Sequence, residues 1–157
     1  MCSRMSRNFA HSPMSHFAVF LVLLLPGTIG CGTNVNLPPR AKVTGQVTVD
    51  GQPLMRGIIT FVPDNAKGTR GPVAIGTIDS DGRYDLTTDR TGNQGDGAIV
   101  GFHRIRIEAR EEPKGESEVP PKPLIPMRYF DSDQSGLTAE VKAGEGNVVN
   151  LTLKRNP

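Results

Sequence analysis

The segment Thr77-Ile-Asp-Ser-Asp-Gly-Arg-Tyr-Asp-Leu86 decides the fold class of this chain. Glycine at position 82 reaches a positive φ without steric cost, and Asp79 and Asp81 are placed to hydrogen-bond the backbone of the same turn. After the turn, Tyr84 and Leu86 alternate with polar residues. A period of two is typical of a strand with one buried face. The segment therefore predicts a half-buried antiparallel hairpin.

The same alternation and turn chemistry recur outward from this segment, and no helical period appears after residue 31. Gly45 interrupts the first strand, where it predicts a bulge or a close backbone approach. The pattern predicts an all-β domain, a seven-stranded antiparallel β-sandwich with a core of Val, Ile and Leu. We expect its strands at 42–49, 58–62, 73–79, 83–88, 101–109, 137–141 and 147–154.

One long irregular stretch interrupts the strands. Residues 110–127 contain five prolines, which remove backbone donors and favour extended conformations. We interpret this stretch as an insertion loop, and expect residues 128–130 to fix its far end to the core.

The N-terminal region has the pattern of a leader. Residues 1–16 are polar and basic, 17–25 are uninterruptedly apolar, and small residues follow. The apolar run is too short for a bilayer, which needs about 20 residues, but suits a secretory signal. We predict a signal peptide at 1–30, with Met1, Met5 and Met14 all open as the start.

Cys31 follows this leader directly. Gly30-Cys31 resembles the lipobox of bacterial lipoproteins, although Thr28 and Ile29 depart from its usual residues. The resemblance implies acylation of Cys31, a tether over 31–40 and a membrane-anchored place in the cell envelope. The alternative is ordinary signal cleavage that leaves a free thiol at Cys31.

Removing the leader changes the charge and the side-chain inventory. The leader holds two of the 18 basic residues and none of the 16 acidic ones, so the remaining chain has no net charge. Nothing in that balance favours nucleic-acid binding. One cysteine remains, which excludes an internal disulfide, and His103 is the remaining histidine.

The order of strand and turn signals resembles the carboxypeptidase regulatory-like family. The matching segments are 43–54, 57–61, 77–84 and 100–105, and the likeness spans 41–154. It implies a prealbumin-like (transthyretin-like) sandwich over 41–157, a module that is accessory to catalysis in the carboxypeptidases. Because the shared residues belong to turns and core, they specify a fold better than a function.

Catalytic and metal sites find little support in these residues. A zinc site needs several clustered ligands, and His103 alone predicts a structural role within a strand. Asp79 and Asp81 do not fit the spacing of an EF-hand, so we interpret them as turn residues, with a weak calcium site alongside Asp89 or Asp96 left open. We therefore predict no metal, no cofactor and no enzymatic activity.

Five aromatic residues follow the leader. The alternation in their strands places Phe61 and Tyr84 on buried faces, so we interpret both as core residues. This leaves Phe102, Tyr129 and Phe130 as possible ligand contacts. We predict a non-enzymatic envelope lipoprotein that makes structural or adhesive contacts with envelope proteins or glycans. The alternative is a carbohydrate- or peptide-binding module that uses the loops at one end of the sandwich.

Overall fold

A computed structural model describes residues 38–88, 95–112, 115, 121–144 and 146–156. The predicted signal peptide, Cys31, most of the tether, Asp89 and the middle of the proline-rich loop lie outside the described residues. Within them the chain is all-β, with two 3-10 turns at Asn65–Lys67 and Met127–Phe130. A search of this part of the chain finds no helix with the length and apolar character needed to span a membrane.

Each of the seven predicted strand positions carries strand structure. Two of these positions are divided into two strands each, because the strand pairing is interrupted at Leu86 and again at residues 149–150. Four further strands of two residues each were not predicted. The strands are β1 (Arg40–Ala41), β2 (Val43–Val49), β3 (Gln52–Pro53), β4 (Gly57–Pro63), β5 (Ala74–Ile78), β6 (Arg83–Asp85), β7 (Thr87–Thr88), β8 (Gly95–Asp96), β9 (Ala98–Ile99), β10 (Gly101–Glu108), β11 (Thr138–Val141), β12 (Asn147–Val148) and β13 (Leu151–Leu153).

The strands form two main sheets and one short ladder. The larger sheet has the order β11-β10-β4-β5-β7-β8 and is antiparallel throughout. The second sheet centres on β2, which pairs antiparallel with β6 and β3 and parallel with β12 and β13. This parallel pairing corrects the prediction of a wholly antiparallel arrangement. It arises because the chain reaches β12 and β13 from β11 in the other sheet, and so enters in the direction of β2.

The predicted hairpin is confirmed in part and corrected in part. Its turn is as expected, since Asp79 Oδ1 accepts hydrogen bonds of 2.8 Å from the amides of Asp81 and Arg83. Its second arm is divided between the two sheets: β7 pairs antiparallel with β5, as in a hairpin, whereas β6 pairs with β2. The amide of Val47 donates to the carbonyl of Gly82 at 2.8 Å, so the last part of the turn is hydrogen-bonded to β2.

The two main sheets share one core. Phe61 and Ile105 from the larger sheet and Val47 and Leu153 from the β2 sheet are completely buried in the same hydrophobic cluster. The rings of Phe61 and Tyr84 lie 6.4 Å apart across this core. The prediction of a core of Val, Ile and Leu is confirmed, since these residues are the majority of the buried cluster.

The β2 sheet is closed by a close backbone approach at Gly45. A Cβ atom at this position would overlap the carbonyl oxygen of Val149, and would lie 2.9 Å from the Tyr84 hydroxyl oxygen. The amide of Val149 in turn donates to the carbonyl of Thr44 at 2.8 Å. The close approach predicted for Gly45 is therefore confirmed.

The N-terminal boundary of the folded unit lies earlier than residue 41. Arg40 pairs with Ile99 in the ladder between β1 and β9, and the amide of Val100 donates to the carbonyl of Pro39 at 2.9 Å. These main-chain bonds place Pro39 and Arg40 in the folded unit. The predicted tether over 31–40 is shortened accordingly.

Candidate functional site

The three aromatic residues proposed as ligand contacts lie in different surroundings. Phe102 is on the solvent face of β10, 38% exposed, with Lys67 Nζ 4.8 Å from its ring centroid. Phe130 is half-buried, and the guanidinium carbon of Arg110 lies 4.9 Å from its ring centroid. Tyr129 is buried. Among these three, Phe102 is thus the one exposed side chain, and Phe130 is partly accessible to solvent.

Tyr129 belongs to the core and not to an exposed binding surface. Its hydroxyl accepts a 3.0 Å hydrogen bond from the amide of Lys154, and Arg128 donates to the same oxygen at 3.1 Å. These bonds satisfy the phenol at the inner end of the proline-rich loop. The expectation that residues 128–130 fix this loop to the core is confirmed through Tyr129.

His103 is enclosed within the larger sheet. It is 1% exposed, its Nδ1 lies 3.1 Å from the carbonyl oxygen of Gly101, and its ring centroid is 5.8 Å from that of Phe61. Burial lowers the pKa of His103, with the Gly101 carbonyl acting in the opposite direction. The position of His103 inside a strand is as predicted. A neutral, enclosed imidazole is not placed to exchange protons with a ligand in solvent.

The acidic turn has a structural explanation. Both hydrogen bonds of Asp79 Oδ1 go to the backbone of the turn, which confirms its predicted role there. Among the described residues, no three metal-ligating side chains form a cluster. The side chain of Asp96 lies outside the described part of the chain, as Asp89 does.

Two surface grooves offer further candidate binding sites. The first, which we call the end groove, has a volume of about 510 Å³ and is lined by the loop after β3, by the two stems of the proline-rich loop and by Arg155. Its apolar floor comprises Val49, Leu54, Met55 and Leu124. Met55 is 70% exposed although Leu54 beside it is buried. The end groove therefore offers an apolar surface to solvent at one end of the strands.

Main-chain hydrogen bonds hold the walls of the end groove. The amide of Leu54 donates to the carbonyl of Val47 at 3.0 Å, which fixes the loop after β3. On the opposite wall, Leu124 donates to Ala109 and Glu111 donates to Lys122, each at 2.9 Å. The groove is thus pre-formed, a property that lowers the ordering cost of binding.

Charges of both signs border the apolar floor. Arg56 and Glu112 form a 2.8 Å ion pair between exposed side chains, and Glu111 and Arg155 also line the rim. An exposed pair of this kind contributes little stability. The guanidinium of Arg56 and the carboxylate of Glu112 therefore remain available to a ligand that carries charges itself.

The second groove, of about 620 Å³, lies beside the Asp79 turn. Most of its lining residues are of polar type, among them Thr44, Gln46, Arg83 and Asn150. Several of these groups already bond within the fold: the Asn150 side chain accepts from the Gln46 amide at 3.0 Å, and the Gln46 side chain donates to the Asp81 carbonyl at 2.8 Å. This groove therefore has fewer free groups for a ligand than its volume suggests.

Comparison with models of known families and with curated proteins finds no match for this chain. The candidate site accordingly depends on the geometry alone. Sequence reasoning did not find the end groove, because Met55 and Leu124 come from distant segments whose local patterns carry no shared signal. The adjacent apolar residues Leu54 and Met55 in the connection after the first long strand were the one available indication.

Proposed function

We propose that this protein is a non-enzymatic lipoprotein of the cell envelope, anchored by acyl chains on Cys31, that presents one β domain for contacts with other envelope components. The observation that carries the proposal is the position of the first described strand. This strand, β1, begins at Arg40, shortly after the lipobox-like Gly30-Cys31 in the sequence. This arrangement is the one expected if the chain emerges from its anchor almost directly into a folded domain.

We further propose that the domain is a seven-stranded, prealbumin-like sandwich of the carboxypeptidase regulatory-like kind. Strands at all seven expected positions and one core shared by two sheets support this assignment. The turn at Asp50-Gly51 supports it too, since both residues have the positive φ values, 50° and 83°, of a tight hairpin connection.

The burial of His103 supports a non-enzymatic role. It is the remaining histidine after the predicted leader, and its enclosed ring cannot serve as an accessible base for a serine or for the thiol of Cys31. We therefore propose contacts with partners, and not chemistry on a substrate, as the role of the domain.

The anchor is tested by expressing the full chain in a bacterial host and measuring its intact mass and detergent partition. We expect a chain that starts at Cys31, carries acyl groups and enters the detergent phase, and we expect Cys31→Ser to move it to the aqueous phase. Cys2→Ser is the matched control, since it removes a cysteine from the predicted leader only. An unmodified wild-type chain in the aqueous phase would contradict the proposal.

The end groove favours a second function, recognition of a peptide. Its exposed Met55 and buried Leu54 form an apolar contact surface for a peptide side chain. The Arg56–Glu112 ion pair at its rim provides one positive and one negative charge. No aromatic side chain is among its lining residues. Because glycan sites depend on aromatic stacking surfaces, the groove favours a peptide over a carbohydrate.

Peptide binding is tested by selecting sequences from a displayed random peptide library against the purified protein. For the selected peptides, Met55→Glu should weaken binding by about tenfold or more, since the apolar side chain that a bound peptide would cover is replaced by a charged one. Met127→Glu is the matched control, because Met127 is 56% exposed and does not line the groove. Equal binding to both variants would exclude the end groove as the site.

A further inference from the structure

A compact surface lies where the chain enters the folded unit. We call it the tether-side patch and define it by Arg40, Lys67, Arg70 and Phe102. Its parts are joined through the backbone: the Phe102 amide donates to Thr69 Oγ1 at 2.8 Å, and Gly71 lies against Ile99, the ladder partner of Arg40. Three cationic residues and one exposed aromatic ring thus lie on neighbouring segments near the first described residues of the chain.

Local hydrogen bonds hold the loop that carries Lys67 and Arg70. The buried Asp64 caps the 3-10 turn by accepting from the Ala66 amide at 3.1 Å. Its backbone amide donates to the carbonyl of Phe102 at 2.9 Å, and its carbonyl accepts from the Thr69 amide at 3.1 Å. The patch is therefore presented on a defined backbone.

Among the described residues, the cations of the patch have no ion-pair partner. Arg40, Lys67 and Arg70 are absent from the ion pairs of this part of the chain, and Lys67 Nζ lies over the ring of Phe102. The Asp64 carboxylate is turned inward to its capping bond. Glu140, which lies opposite Phe102 on β11, is an exposed acid at the border of the patch.

The length of chain between Cys31 and Pro38 limits how far this surface can be from an anchor. Seven Cα–Cα steps reach at most about 25 Å when fully extended. The headgroup region of one leaflet is about 5–8 Å thick, so this reach extends past it by no more than about 20 Å. Acyl chains on Cys31 would therefore keep the entry point of the domain within that distance of the membrane surface.

We propose that the tether-side patch rests on anionic phospholipid headgroups of the bilayer that holds the acyl chains; this inference rests on the proposed lipid anchor. Lysine and arginine near an anionic leaflet each strengthen association by about fivefold at low salt. Phe102 supplies the apolar side chain that enters the interface. The opposite end of the strands, with the end groove, then faces away from the membrane.

The test uses the full acylated chain reconstituted in two kinds of vesicle, phosphatidylcholine alone and phosphatidylcholine with phosphatidylglycerol, each containing a headgroup-labelled quencher. A fluorophore is attached through Ala66→Cys in the patch or through Ser80→Cys in the Asp79 turn, both exposed positions. We expect strong quenching at position 66 in the anionic vesicles and little at position 80. The double variant Lys67→Gln/Arg70→Gln should reduce the quenching at position 66 to the level in phosphatidylcholine, and added salt should do the same.

A charge-matched variant, Arg83→Gln/Lys122→Gln, removes two cations outside the patch and should leave the quenching unchanged. Glu140→Gln should increase the quenching at position 66. If the protein does not float with either vesicle, the lipid anchor itself is wrong. If it floats but quenching at positions 66 and 80 is equal, or is independent of anionic lipid, the anchor stands and the membrane-facing patch is overturned.

Discussion

The hydroxyl of Tyr84 donates a 2.6 Å hydrogen bond to the carbonyl oxygen of Val149, and this bond joins β6 to the break between β12 and β13 across the central strand β2. Tyr84 is only 4% exposed. Its ring thereby belongs to the shared core, while its hydroxyl satisfies a carbonyl that the interrupted ladder leaves without a strand partner.

Tyr84→Phe should lower the free energy of unfolding by about 1–3 kcal/mol, because the partly buried Val149 carbonyl would lose its donor. Urea unfolding followed by circular dichroism measures this. Thr87→Val is the control, since that hydroxyl makes a longer, exposed bond and its removal should cost much less. Equal effects of the two variants would show that the Tyr84–Val149 hydrogen bond contributes no more to stability than the exposed Thr87 bond.

Burial raises the pKa of Tyr84 well above its ordinary range. The unfolded chain loses this proton near pH 10, whereas the folded chain keeps it. The contribution of Tyr84 is therefore complete below about pH 10 and is lost as the pH rises further. In a Tyr129→Phe background, tyrosinate absorbance should appear only together with unfolding. Its appearance in a folded protein near pH 10 would contradict the prediction.

Gly45→Ala should destabilise the domain by about 1–3 kcal/mol, as expected for overpacking against backbone that cannot move aside. The added Cβ would collide with the Val149 carbonyl and press on the Tyr84 hydroxyl. Gly146→Ala is the matched control, since no neighbouring atom lies within 4 Å of its Cβ position. Thermal unfolding should therefore separate the two variants clearly, and a neutral Gly45→Ala would show that the close approach is not tight.

Asp79→Ala should cost about 1 kcal/mol, because two turn amides lose their shared acceptor and must be satisfied by water. Asp79→Asn should recover most of that loss, since its side-chain oxygen can take the same place. Asp81→Ala tests the neighbouring aspartate of the same turn, and we expect a smaller change. The free energies of unfolding are measured with urea. A larger loss from Asp81→Ala than from Asp79→Ala would show that the turn depends mainly on Asp81, which contradicts the prediction.

Stability should fall as the pH is lowered from about 7 to 5. The unfolded chain protonates its histidine near pH 6.5, while the lowered pKa of buried His103 keeps the folded form neutral to lower pH. The unfolded state binds more protons in this window, so stability rises with pH across it. His103→Gln should flatten the pH dependence of the unfolding midpoint above pH 5, and an unchanged slope would remove His103 as its cause.

Much of the local structure was predictable because alternation reports which face of a strand is buried. Along β10, for example, Phe102 and Arg104 face outward while Ile105 is enclosed, as their spacing predicted. Turn chemistry was equally readable at Gly82, where the positive φ is observed. These properties are set by residues close in sequence.

Pairing between distant segments was not predictable in the same way. Alternation in residues 83–88 identifies a strand but does not say which strand lies beside it, so the assignment of β6 to the β2 sheet was missed. The burial of Tyr129 depends on Lys154, which no local pattern connects to it. The end groove was missed for the same reason.

The parallel pairing of β2 with β13 has a mechanical consequence. These strands are the first long and the last described strand of the folded unit, and Val47–Val49 lies beside Leu151–Leu153 in the same direction. A force that pulls the two ends of the unit apart slides the strands along each other, so it loads all the hydrogen bonds between them together. An antiparallel hairpin pulled from its ends opens one bond at a time. A domain held at its N-terminal side and gripped at its far end would therefore resist tension through this pair of strands.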